Sequence, residues 1–188
     1  MNRDEALKLV QEKIQNQNLI KHCLAVEICM KALAEHFGEN PASGGASWGL
    51  TGLLHDIDYE ETKDNPEKHS LIGAEMLEKL GLDKEICEAV KTHNEIHGIA
   101  PESKMAKALY SVDPLTGLIV ASVLVLPSKK IADLTTENVL NRFKEKGFAR
   151  GANREIIGKC EELLGLNLEQ FVKIGLEAMK TINNELGL

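Results

Sequence analysis

Aromatic residues are scarce, with one Trp, two Tyr and four Phe in 188 residues, or 4%. The pleated faces of a β-sandwich favour aromatic and β-branched side chains, and that supply is thin here. No stretch alternates Val, Ile or Thr with polar residues, so no sheet is expected. Long apolar runs are also missing. None approaches 18 uncharged residues, and the longest candidate, 115–127, is too short to span a bilayer. The first ten residues carry acids and no apolar run, so they do not read as a signal peptide. The four cysteines, Cys23, Cys29, Cys87 and Cys160, form neither a Cys-x-x-Cys pair nor a zinc-finger spacing. They read as reduced, mostly buried thiols. These absences lead to an expectation of a cytoplasmic protein with no membrane partner.

Positive charge is in the minority as well. Lys and Arg number 22 against 29 Asp and Glu, giving a net charge of −7. An acidic surface repels a phosphate backbone, so no nucleic-acid partner is expected. A small phosphorylated substrate stays open, because a bound cation inverts the field locally.

What is present is helical. Hydrophobic residues make up 43% of the chain and charged residues 27%, the balance of an ordinary globular domain. The core must be largely aliphatic. Apolar residues recur near every 3.6 positions over 4–14. Asn18 is placed to cap a helix over 19–37, and Gly38 stands just past its end. A small-residue turn over 41–45 precedes a short helix from about 46 to 56. Residues 59–65 are polar, without an apolar period, and read as a surface loop. Asn65-Pro66 pairs a cap residue with a first-turn proline and predicts a helix over 66–80, stopped by Gly81. Further helices are expected from Asp83 to about His93, over 103–126 with a break near Pro114 and an end at Pro127, and over 136–146, 153–164 and 167–186. Gly147 and Gly165 punctuate the last three. With no repeat, linker or low-complexity segment, the reading is an all-α, single-domain bundle of about nine helices spanning 1–188.

Among six histidines, one stands beside an aspartate. Gly52-Leu53-Leu54-His55-Asp56-Ile57-Asp58 delivers a His-Asp doublet at the end of an apolar run. Burying that doublet is costly unless something compensates. A divalent metal does so, since imidazole nitrogen and carboxylate oxygen are both ordinary ligands. A helix-end pair bonded to exposed backbone groups satisfies the same residues, and the chemistry alone leaves both readings open.

With His22 upstream in Leu19-Ile20-Lys21-His22 and Asp113 downstream in Tyr110-Ser111-Val112-Asp113, the doublet resembles the pattern of the HD superfamily of metal-dependent phosphohydrolases. The separations are 33 residues from His22 to His55 and 57 from Asp56 to Asp113. The resemblance covers about 18–126, and the C-terminal helices over 136–186 fall outside it. His69 in His-Ser-Leu-Ile-Gly-Ala resembles the His-x-x-x-Gly-Ala element of the dinuclear branch. His93 stands where many dinuclear members have paired histidines, with Asn94 in place of the second. The resemblance therefore implies one or two divalent metal ions. The first would be held by His22, His55, Asp56 and Asp113, the second by Asp56, His69 and His93, with Asp56 bridging. The absent second histidine argues against a third. Iron, manganese, zinc and nickel all suit these ligands.

The implied activity is hydrolysis of a phosphate ester or anhydride, in a nucleotide or similar small metabolite, by metal-activated water. His55 and Asp56 are the implied catalytic residues. Asp58 is the nearest carboxylate for moving a proton, although its sequence position reads as a surface cap of the loop. Among the candidate cations for phosphate, Lys63, Lys68, Lys129, Lys130, Arg150 and Arg154, the two arginines are singled out as substrate-binding. They flank a glycine turn at an expected helix N-terminus, which favours anions. His97, one turn past His93, is a third substrate-binding candidate, and His36 reads as a plain surface residue. Two other functions remain compatible with such a fold: a di-iron oxygenase, and a non-catalytic ligand-binding module.

Overall fold

A computed structural model describes residues 1–39 and 46–188, and every regular element among them is helical. The all-α expectation holds. The turn expected over 41–45 lies outside the described residues.

α1 (Arg3–Lys13) starts at a capping box in which Asn2 and Glu5 each receive the other's backbone N–H. α2 (Gln17–His36) is capped by Asn16, two residues before the expected Asn18, and the Asn16 side chain accepts the Asn18 N–H. α3 (Ala46–Leu54) stops just short of the His-Asp doublet. Beyond it the structure departs from the local pattern twice. Residues 59–65 are not a plain loop but open with a one-turn helix, α4 (Tyr59–Thr62). The helix expected from Pro66 begins only with α5 (Leu71–Lys79). The cause is tertiary. Asp58 Oδ2 accepts the N–H groups of Ser70 at 2.9 Å and Gly73 at 2.8 Å, capping α5 from another part of the chain. Ser70 takes a left-handed φ of 72° to present its N–H.

α6 (Lys84–Thr92) opens at Asp83 as expected, and a 3-10 turn (Glu95–His97) follows it. α7 (Lys104–Leu124) runs through Pro114 without the expected break and ends before Pro127. α8 (Thr136–Lys144) has a Thr135–Asn138 capping box. The expected helix over 153–164 is two, α9 (Arg154–Gly158) and α10 (Cys160–Leu164). The one over 167–186 is also two, α11 (Leu168–Lys180) and α12 (Asn183–Leu186). With α4 added, the nine expected helices become twelve α-helices among the described residues.

α7 is the central post. α2, α6, α8, α9, α10 and α11 pack on it, and Leu109, Val112, Leu115, Leu118 and Ile119 on it have no exposed surface. By length and composition α7 could cross a bilayer, but over half of its apolar window is buried inside the bundle. Burial of this aliphatic core supplies the main drive to fold. The four cysteines are free, three of them buried.

Candidate metal centre

The His-Asp doublet lies where five parts of the bundle meet. α2 brings His22, the end of α3 brings His55 and Asp56, and α7 brings Asp113. The turn before α5 brings His69, and the last residue of α6 leads into His93. Gly52 makes the first junction close. A Cβ there would stand 2.8 Å from the Val26 carbonyl oxygen and 2.9 Å from the Glu27 Cα. Only glycine lets α3 settle on α2 at this level, and the settling carries His55 against His22.

The ligating atoms converge. His22 Nε2 lies 3.2 Å from His55 Nε2, 3.0 Å from Asp113 Oδ1 and 3.6 Å from Asp56 Oδ2. His55 Nε2 lies 3.5 Å from Asp56 Oδ2 and 3.7 Å from Asp113 Oδ1. The other oxygen of Asp56 serves a second pair, at 3.2 Å from His69 Nε2 and 3.5 Å from His93 Nε2. Asp56 thus faces two histidines with each oxygen. His55, His93 and Asp56 are buried, while the side chains of His22 and Asp113 are about a quarter exposed and leave the centre open on one side.

The orientation of each imidazole is fixed at its far nitrogen. His55 Nδ1 donates to the Gly52 carbonyl at 2.8 Å and His93 Nδ1 to the Val90 carbonyl at 2.6 Å. The Thr116 hydroxyl donates to the Asp113 carbonyl, so it accepts from His22 Nδ1 at 3.2 Å. His69 Nδ1 donates to Asp58 Oδ1 at 2.9 Å. With every Nδ1 a donor, four Nε2 lone pairs point into one space. Two of them face each other at 3.2 Å, which neutral imidazoles tolerate only with a cation between them or nearby. Atoms that each bond a metal at about 2.0–2.2 Å stand at separations of this order. Three triads, His22–His55–Asp56, His55–His93–Asp113 and Asp56–His69–His93, each have ligating atoms within 4.8 Å of one another. The donor set fits one or two divalent ions.

Without a metal, protons fill this role. Burial disfavours a charge on His55, but the nearby charges of Asp56 and Asp113 overcome it and push its pKa up to about 9. Burial opposes a charge on His69 too, and hydrogen bonds to Asp56 and Asp58 push its pKa up to about 10. The neighbouring histidines hold Asp113 and Asp56 well below the ordinary carboxylate range despite their burial.

Several sequence expectations change. Asp58 is not a surface cap. It is 1% exposed, and its carboxylate receives three N–H groups, from His69, Ser70 and Gly73. Gly73 makes room for it, since a Cβ there would stand 3.1 Å from the Asp58 carboxylate carbon. That contact explains the glycine of His-x-x-x-Gly-Ala. Asn94 donates to the carbonyls of Pro66 and His69, holding the turn on which His69 sits. His97 does not reach the centre as a substrate contact. Its Nε2 donates to the His69 carbonyl at 2.7 Å, a brace for the same turn.

The Arg154 guanidinium is likewise committed elsewhere. It donates to the backbone carbonyls of Phe143, Glu145, Phe148, Ala149 and Ala152, so it pins the turn before α9 rather than meeting an anion. Arg150 is exposed and borders neither hollow beside the centre. Lys63, Lys68, Lys129 and Lys130 are exposed and also stand outside both. His36 is exposed at the end of α2, as expected. Asp58 and Gly73 were visible in the motifs as residues, but their partnership depends on a fold that brings 58 to 73. Thr116, the acceptor for His22, carried no signal at all.

The HD domain family model matches residues 19–123, which include all six converging residues. Among curated relatives, ribonuclease Y of Lawsonia intracellularis is 29% identical over 143 residues, covering 74% of this chain and 26% of the relative. Ribonuclease Y of Oleidesulfovibrio alaskensis is 29% identical over 146 residues, covering 75% and 27%. Ribonuclease Y of Acholeplasma laidlawii is 27% identical over 174 residues, covering 88% and 32%. The chain therefore spans between a quarter and a third of the length of these relatives. No solved structure matches it.

Proposed function

Since the chain belongs to the HD domain family, we propose that it is a metal-dependent phosphohydrolase acting on a phosphate ester or anhydride of a small metabolite. The observation that carries this reading is the division of Asp56, one oxygen toward His22 and His55 and the other toward His69 and His93. One ion would be held by His22, His55, Asp56 and Asp113, and a second by Asp56, His69 and His93. When bound, such ions lower the pKa of a shared water toward neutrality and neutralise phosphoryl oxygens. The chain's own part is positional. His55, oriented by the Gly52 carbonyl, and the buried Asp56, faced by four histidines, would fix where attack occurs. Asp113 and His22, at the open side, meet the incoming phosphoryl group. His55, with no exposed surface, would keep bulk water from one side of the centre.

The relatives named ribonuclease Y favour a second reading, cleavage of phosphodiester bonds in RNA. Against it stand the net charge of −7 and two hollows at the centre that no Lys or Arg lines. Elemental analysis of freshly purified protein, followed by a panel of phosphorylated metabolites and single-stranded RNA, separates these. The expected result is bound iron, manganese, zinc or nickel, with phosphate released from a small substrate. His55→Ala and Asp56→Ala should each lower turnover at least about a hundredfold, the loss of a metal's contribution of several kcal/mol. Equal turnover by either variant, or oxygen uptake in place of phosphate release, overturns the reading.

A further inference from the structure

Two hollows open from the metal centre, and both are bordered by His22, His93, Glu95 and Asp113. One, of about 330 Å³, runs between α7 and the segment 149–156. Its volume lies at the lower end for small-molecule sites, enough for one compact group. Tyr110, Pro114 and Gly117 of α7 form one wall, and Asn153 and Ile156 stand opposite. Glu95 crosses the mouth, its Oε1 accepting from Asn153 Nδ2 at 3.2 Å. The metal-binding side chains all fall within 19–123, whereas the opposite wall comes from residues past that match. The shared core supplies the chemistry, and a different part of the chain shapes what sits beside it.

The charge of this hollow is informative. No Lys or Arg lines it, and its ionised groups other than the metal ligands reduce to Glu95. Arg154, close in sequence, spends its donors on backbone carbonyls, and Arg150 is turned out to solvent. A phosphoryl group at the centre is neutralised by metals. A second, bridging phosphate in the hollow would add about one negative charge against a carboxylate, with no cation to offset it. Glu95, Tyr110 and Asn153 suit hydroxyls and ring N–H groups instead, and Pro114 and Ile156 suit a flat apolar face.

We infer that the hollow between α7 and residues 149–156 is the site for the uncharged part of the substrate, and that Glu95 is a specificity residue selecting phosphomonoesters of neutral, hydroxyl- or ring-bearing groups over polyphosphates and polynucleotides. This rests on the phosphohydrolase reading and narrows it. The test is calorimetric binding of inorganic phosphate, AMP, ADP, ATP and a short oligoadenylate to manganese-loaded protein, with phosphate release measured in parallel. AMP should bind at least about fivefold more tightly than ADP, the size of one charge repulsion near a surface. Glu95→Lys, at an exposed position, should shift that ratio toward ADP by about tenfold, a gain that misfolding cannot imitate. Glu95→Gln should shift it part of the way. Tighter binding of ADP, ATP or the oligonucleotide by the unaltered protein, or an unchanged ratio in Glu95→Lys, overturns the inference. Binding without turnover of any probe overturns the hydrolase reading, while the binding ratio still decides the pocket. Binding of none overturns both.

Discussion

His22 Nε2 and His55 Nε2 face each other at 3.2 Å while the opposite nitrogen of each ring is held as a donor, by Thr116 and by the Gly52 carbonyl. Two lone pairs at that distance repel unless a proton or a metal lies among them. Protons would therefore compete with any metal held there, and that competition would have a direction in pH.

In the metal-free protein the pKa of His55 is pushed up to about 9 and that of His69 to about 10, against an ordinary value of 6.5. Both are protonated at pH 7, and both must lose the proton to bind an ion. Metal binding at pH 7 should release protons into a weakly buffered solution. Apparent affinity should rise by about tenfold per pH unit for each proton displaced, and level off above pH 9–10. Since the folded-state values exceed the unfolded ones, the protonated histidines also stabilise the metal-free fold. That contribution is complete below about pH 6.5 and is lost as pH rises through 9–10. Thermal denaturation of chelator-treated protein should show this loss, and the metal-loaded protein should not. A pH-independent metal affinity between 6 and 8 contradicts the arrangement.

Asp58 is the one carboxylate that grips a histidine from behind, and it grips only His69. Asp58→Asn keeps the size but leaves a weaker acceptor and sets an amide against the N–H groups of Ser70 and Gly73. Loss of such an orienting partner typically costs about 10–100-fold in metal affinity. The cost should fall on the ion between His69, His93 and Asp56. The ion at His22, His55 and Asp113 should keep its affinity, so metal titration should resolve one weakened site and one intact. Equal weakening of both would show that Asp58 acts through the fold at large.

Gly52→Ala tests the close approach of α3 to α2. The added Cβ would stand 2.8–2.9 Å from backbone atoms of Val26 and Glu27, which cannot rotate away as a side chain would. Overpacking of this kind costs about 1–3 kcal/mol. In a chain of this size each kcal/mol lowers Tm by about 2–4 °C. Because the Gly52 carbonyl also orients His55, metal affinity should fall together with Tm. A variant with unchanged Tm and metal content would place the junction elsewhere.

The centre was legible in the sequence to a different degree from what surrounds it. The His-Asp doublet at the end of an apolar run, with His22, His69, His93 and Asp113 in a recognisable order, led to side chains that do converge. The cap Asp83 obeys local rules, and its helix begins where those rules put it, while the cap of α2 falls two residues earlier than expected, at Asn16. The start of α5 escaped because a tertiary hydrogen bond from Asp58 outweighs the local preference of Asn65-Pro66. The persistence of α7 through Pro114 escaped for a similar reason, since Leu115, Leu118 and Ile119 are fully buried and packing keeps the helix continuous across the missing N–H. Arg154 differs from its sequence expectation because a basic turn at a helix start looks the same in sequence whether its guanidinium faces an anion or curls onto carbonyls.

Arg154 and Arg150 therefore make a final paired prediction. The Arg154 guanidinium donates to five carbonyls from Phe143 to Ala152, of which Glu145 and Ala149 also accept a backbone N–H, and it ties the end of α8 to the start of α9. Arg154→Ala leaves several of these acceptors unpaired, each worth about 1 kcal/mol or more where water cannot replace the donor. Tm should drop by several degrees. Because the segment 149–156 forms a wall of the hollow at the centre, KM should rise with little change in metal content. Arg154→Lys should rescue only in part, since one ammonium cannot span five carbonyls as the planar fork does. Arg150→Ala removes an exposed side chain that borders neither hollow and should change neither Tm nor KM beyond about 0.5 kcal/mol. A large rise in KM on losing Arg150, with Tm unchanged, would instead mean that this arginine reaches substrate in solution, and the cation-free character of the hollow would no longer hold.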